Sequence, residues 1–131
     1  MKLRIHGNSL RLRLSQSEVA QFSKTGFVED SIQFAPGASF AYTLESLSSL
    51  NAPQAHYANG SLCIRVPGAD ATDWVRSDRI GISGEQPLES GNSLSILIEK
   101  DFQCLHGDET RDPDAFPNPL EETAATSEPR P

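Results

Sequence analysis

Four arginines, Arg4, Arg11, Arg13 and Arg65, stand where the local sequence pattern sorts charged from apolar side chains. A planar guanidinium offers paired N–H donors that match a phosphate or carboxylate in two-point contact. Arg4 lies between Leu3 and Ile5, and Arg11 and Arg13 alternate with Leu10, Leu12 and Leu14. Arg65 lies between Ile64 and Val66. A period of two puts alternate side chains on opposite faces of a strand. These arginines therefore share the polar faces of their strands. Turned toward a concavity, they form a ligand-binding set for a small anion. Turned outward, they form the solvated face that alternating antiparallel strands routinely have. Glu99 and Asp101, on the last strand, are placed to pair across with Arg11 or Arg13.

A second grouping is Cys104, His106 and Asp108, with Glu109 beside them. A thiolate, an imidazole and carboxylates this close are weak metal-ligand candidates. A zinc site wants four ligands at definite spacing, or three with an open position. No Cys-x-x-Cys is present, and His6 and His56 are remote in sequence. The same region could serve an enzyme if Cys104 or Cys63 met a histidine and had a lowered thiol pKa. Cys63, between Leu62 and Ile64, reads as small apolar filler. No Gly-rich phosphate loop, Gly-x-Ser-x-Gly or His-Glu-x-x-His occurs, and no cofactor is implied. His56 and Tyr57, just before a tight turn, read as side chains packed on a neighbouring strand.

The elements that must position these groups are legible. Leu14-Ser15-Gln16-Ser17-Glu18-Val19 combines a capping box with a hydrophobic staple, and Gly26 ends the pattern. This predicts a main helix over 16–25. Asp70 as a cap, with Trp74 and Val75 inward, predicts a short helix over 70–77. Strands are expected through Leu3 and Ile5, again through Leu10, Leu12 and Leu14 after His6-Gly7-Asn8, from Phe27 to Phe34 with a bulge at Glu29-Asp30, and through Phe40, Tyr42 and Leu44. More follow at 54–58, at 61–66 across Asn59-Gly60, at Ile80 and Ile82, and through Leu94, Ile96 and Ile98, with 84–91 a polar connection. Tight turns favour antiparallel neighbours. The expected fold is α+β: a curled antiparallel sheet or small β-barrel of about eight short strands, with the main helix closing one side. No internal repeat is evident.

The chain has 131 residues, 37% hydrophobic and 22% charged, which allows one modest core. The formal net charge of −7 falls mainly on the C-terminal stretch. There, Asp108, Glu109, Asp112, Asp114, Glu121, Glu122 and Glu128 face only Arg111 and Arg130. Bulk charge of this sign disfavours nucleic acid as a partner. No apolar run approaches the roughly 20 residues that a membrane span needs. Residues 1–9 lack the apolar stretch of a signal peptide, and the two cysteines read as reduced thiols, so a cytoplasmic location is expected.

The segments LRIHGNSLRLRLSQSEV (3–19), IEKDFQCL (98–105) and DAFPNP (114–119) resemble those of a small family of uncharacterised bacterial proteins of similar length. The resemblance implies a compact domain whose C-terminal segment belongs to it at least to Pro119. It implies no activity. The expected organisation is therefore a domain over 1–106 and an acidic, Pro-rich tail over 107–131, docked up to about residue 120 through Phe116 and Leu120. The expected function is a non-catalytic binding module for a small anion on the arginine-bearing face. The alternative is a protein-interaction module using the tail, with a protein partner. A further alternative is an enzyme using the Cys104, His106 and Asp108 region.

Overall fold

The computed structural model describes residues 1–101. The chain opens with a hairpin of β1 (Lys2–His6) and β2 (Ser9–Leu14), followed by α1 (Gln16–Thr25). A second hairpin follows, β3 (Phe27–Ala35) with β4 (Ala38–Leu47). The pattern then recurs: hairpin β5 (Gln54–Ala58) with β6 (Ser61–Pro67), helix α2 (Gly68–Arg76), hairpin β7 (Gly81–Pro87) with β8 (Ser93–Lys100).

Local chemistry explains most of these elements. Ser15 Oγ accepts the Glu18 N–H at 3.4 Å, and the Glu18 carboxylate accepts the Ser15 N–H at 2.8 Å. These reciprocal bonds satisfy two orphan donors at the start of α1. Gly26 ends the helix in the left-handed region at φ 73°, which costs a residue without Cβ little. Asn59 (φ 52°) and Gly60 (φ 75°) supply the two positive φ angles that a tight β5–β6 turn needs. The second helix departs from expectation. It spans 68–76 with Pro67 at its N-cap and no side-chain cap bond. Asp70 lies inside the first turn and pairs with Arg79 Nη1 at 3.2 Å.

Strand pairing corrects the expected architecture. Among the described residues there are two four-stranded sheets, in the orders β1-β2-β8-β7 and β3-β4-β6-β5, and neither closes into a barrel. Both are mixed, because β2 runs parallel to β8 and β4 runs parallel to β6. Tight turns fix antiparallel pairing only within each hairpin. The central pairs join strands far apart in sequence, whose direction no turn dictates. β3 is continuous through Glu29-Asp30, and its irregularity falls between Gln33 and Ala35. β7 runs on to Pro87 through a stretch expected to be a connection.

The topology contains the repeat that the sequence hides. A hairpin–helix–hairpin unit occurs twice, and each sheet takes one hairpin from each unit. The spacing from Arg13 to Arg65 equals that from Phe22 to Trp74, and both pairs occupy equivalent places. Phe22 of α1 meets Trp74 of α2 edge to face, with centroids 6.0 Å apart. Around them the inward residues of both sheets form one core: Leu10, Leu12, Leu14, Val28, Leu44, Ile64, Val66, Ile82, Ile96 and Ile98. Trp74 Nε1–H, fully buried, donates to the Ile80 carbonyl at 2.9 Å.

The sheets meet along two seams. On one, the Gln86 amide of β7 accepts the Ala55 N–H of β5 at 2.7 Å and donates to the Ala55 carbonyl at 3.2 Å. On the other, Tyr42 Oη–H of β4 donates to the Met1 carbonyl at 2.8 Å, and the Met1 ammonium lies 3.2 Å from Asp30 of β3.

Candidate functional site

The arginine-bearing strands fold as their alternation requires. Register sets Arg4 opposite Arg11, and Lys2 opposite Arg13. These four cations share the face of the first sheet that turns away from the core, because Leu10, Leu12 and Leu14 are buried on the other face. Arg65 lies on the second sheet, next to Glu45 across the β4–β6 pair. The four expected ligand-binding arginines are thus divided, three on one sheet and one on the other.

Each sheet carries an arginine–glutamate pair at the same place in the repeat. In the first, Glu99 is 8% exposed and Arg11 Nε–H donates to its Oε1 at 2.9 Å. Arg13 Nε lies equally close to that oxygen, but its N–H is not aimed there, so the contact is electrostatic rather than a hydrogen bond. Arg13 Nε also lies 3.9 Å from Asp101, which Lys2 Nζ approaches to 2.8 Å. The Lys2 hydrogen bond holds the Asp101 carboxyl below the ordinary carboxylate range. In the second sheet, Arg65 Nε–H donates to Glu45 at 3.2 Å, and both side chains are about one-third exposed. That bond holds the Arg65 guanidinium above its ordinary range. Cys63 Sγ is 3.9 Å from the same carboxylate.

Concavity around these groups is shallow. Arg11 borders an open groove of 420 Å³ with Ser9, Ser83, Ser95 and Glu85. Ser93 and Ser95 donate to Glu85 at 2.8 and 2.6 Å and hold its carboxyl below the ordinary range. A wider groove of 690 Å³ lies at the start of α1, between Leu14, Val19 and Lys100. None of the four arginines lines it. Cys104, His106 and Asp108 lie outside the described residues. Among the described residues no three His, Cys, Asp or Glu side chains gather as a metal site.

The feature that sequence reasoning missed is apolar. Beyond the core, the inward face of the second sheet continues as an aromatic strip toward the hairpin tips. Phe40 stacks on Tyr42 at 6.0 Å and leans on Tyr57 at 6.3 Å. Ile32 is directly opposite Phe40 in the β3–β4 register. Ile32, Phe34 and Tyr57 are 51, 71 and 62% exposed. β3 and β5 are the edge strands of this sheet. The signal was present as the period-two apolar pattern from Ile32 to Tyr42. It did not say how far the core reaches along those strands.

The arrangement is that of a mostly-β domain of two mixed four-stranded sheets and two helices. No helix among the described residues is long and apolar enough to cross a membrane. The chain belongs to a family of unknown function, DUF7009, whose pattern matches residues 1–120. Comparison with curated proteins and with solved structures finds no match.

Proposed function

We propose that this is a non-catalytic, cytoplasmic binding module whose contact surface is the aromatic strip of the second sheet. Its occupant is an extended peptide segment with apolar anchors and acidic flanks. The observation that carries this reading is the set Ile32, Phe40 and Tyr57, which continues the core face into solvent on and beside an edge strand, with exposed Phe34 two residues further along β3. Contiguous exposed apolar surface of this kind characterises interaction sites. An edge strand offers unpaired backbone groups to an extended partner. The Met1 ammonium, held against Asp30 of β3 beside the Tyr42 hydroxyl contact, and the cationic edge strand β1 that follows it put positive charge near the strip for acidic flanks.

Peptide phage display against the immobilised full-length chain carrying Phe116→Ser and Leu120→Ser, so that its own C-terminal anchors do not compete, tests the reading. Enriched peptides pair aromatic or aliphatic anchors with acidic residues, and they perturb the amide resonances of Phe34, Phe40 and Tyr57. No enrichment, or perturbation confined to β2 and β8, overturns it.

A second reading keeps the arginine face as a small-anion site. Its support is the gathering of Lys2, Arg4, Arg11 and Arg13 on one face of the first sheet, where guanidinium donors match an anion in two-point contact. Inorganic phosphate titrated into the full chain and into the Arg11→Gln, Arg13→Gln double variant tests it. Equal responses from the two proteins remove the site.

A further inference from the structure

We infer that residues 102–120 of this same chain occupy the strip. The inference rests on the contact-surface reading above and names its partner. The family pattern continues to residue 120, whereas the described residues stop at Asp101. The shared pattern thus includes a stretch beyond the described residues. That stretch brings Phe102, Leu105, Phe116 and Leu120 as apolar groups, and Asp108, Glu109, Asp112 and Asp114 as charges.

The chain leaves the described residues at a suitable place. The Asp101 N–H donates to the Leu14 carbonyl at 2.8 Å, and its carboxylate pairs with Lys2 of β1. β1 is an edge strand, and its start lies against β3 and β4 through Met1. Departure from Asp101 therefore begins beside the seam that leads to the strip. Fifteen residues separate Asp101 from Phe116 and reach up to about 50 Å when extended. The ten-residue strand β4 spans only about 33 Å. Arg4 on β1 adds positive charge along the way.

An asymmetry between the repeats gives an independent reason. Gln86, four residues after Ile82, ties its seam with two hydrogen bonds to Ala55. At the equivalent place on the other seam, four residues after Val28, stands Ile32. Ile82 pairs with Ile98 as Val28 pairs with Leu44, which fixes the equivalence. Ile32 carries no hydrogen-bonding group. This seam thus lacks the amide staple, and it exposes Ile32 and Phe34, with Ile5 of β1 65% exposed. Apolar cover from the segment replaces there what Gln86 does on the opposite side.

The test is photocrosslinking in the full chain, with a benzophenone amino acid replacing Phe34. The crosslinked product is mapped by mass spectrometry on an equal mixture of light and ¹⁵N-labelled protein. A link to residues 102–120 within one isotopic copy is expected, and it is lost in the Phe116→Ser, Leu120→Ser variant. A mixed-isotope link assigns the strip to a second copy and overturns the inference, as does a link to residues 1–101 only. If phage-selected peptides map to the strip while no link to 102–120 forms, the inference falls and the contact surface stands. If both fail, both readings fall.

Discussion

Replacing Glu99 by Gln should destabilise the domain far more than replacing Glu45 by Gln, although the two carboxylates occupy equivalent places. Glu99 is nearly buried and is approached by Arg11 and Arg13, both at 2.9 Å. A hydrogen bond to a charged partner contributes about 1.5–3 kcal/mol when sheltered. Arg11 and Arg13 are 38 and 29% exposed, so solvent screens part of that. Gln keeps the volume and one acceptor but leaves Arg11 without its counter-charge and Arg13 with only Asp101, at 3.9 Å. The expected cost is about 2 kcal/mol. For a domain of this size that lowers Tm by about 8–16 °C. Glu45 pairs with one arginine at 3.2 Å, and both partners are about one-third exposed. Its loss should cost under about 1 kcal/mol. Urea melts followed by Trp74 fluorescence give both values. Adding Arg11→Gln to the Glu99→Gln variant should recover part of the loss by removing one unpaired charge. Equal costs at the two sites, or a Glu99→Gln cost below about 0.5 kcal/mol, would refute the argument from burial.

Other consequences follow from the same geometry. Gln86→Leu removes both bonds to Ala55 and should cost about 1–3 kcal/mol in urea titration, with faster amide exchange at Ala55. Phe22→Ala empties the contact with Trp74 between the helices and should cost about 3–5 kcal/mol with a red-shifted tryptophan emission; an unshifted spectrum would contradict the packing. The Asp101 and Glu85 carboxyls are held below their ordinary range by Lys2 and by Ser95 and Ser93. A carboxyl with a depressed folded pKa stabilises above the unfolded value, and this is lost as pH falls through the folded one. Urea midpoints should therefore fall on acidification below about pH 4, and Asp101→Asn should flatten that fall.

Elements whose information is local were legible in the sequence. Ser15 and Glu18 declare a capping box within four residues, Asn59-Gly60 declares its turn, and the alternation at Leu10, Leu12 and Leu14 sorts Arg11 and Arg13 to the outer face. The Glu99 pairing with Arg11 and Arg13 was legible too, as a cross-strand possibility of the last strand. Long-range order was not. Nothing in β2 or β8 alone makes them parallel neighbours, since no short turn joins them, and the two-sheet arrangement follows from that pairing. The repeat is hidden because equivalent places are held by chemically different residues, as with Phe22 and Trp74 or Ile32 and Gln86. Arg65 was grouped with the other arginines by local pattern, while its sheet is fixed by the β4–β6 register. The aromatic strip escaped because alternation marks a face without marking where burial along it stops.

Hydroxyl-radical footprinting of the full chain tests most directly whether residues 102–120 cover the strip. Phe34 and Tyr57 in the native chain should be labelled more slowly than in the Phe116→Ser, Leu120→Ser variant, with Tyr42 unchanged between the two. Equal labelling of Phe34 and Tyr57 in both proteins, at the rate of freely solvated aromatics, would contradict the account.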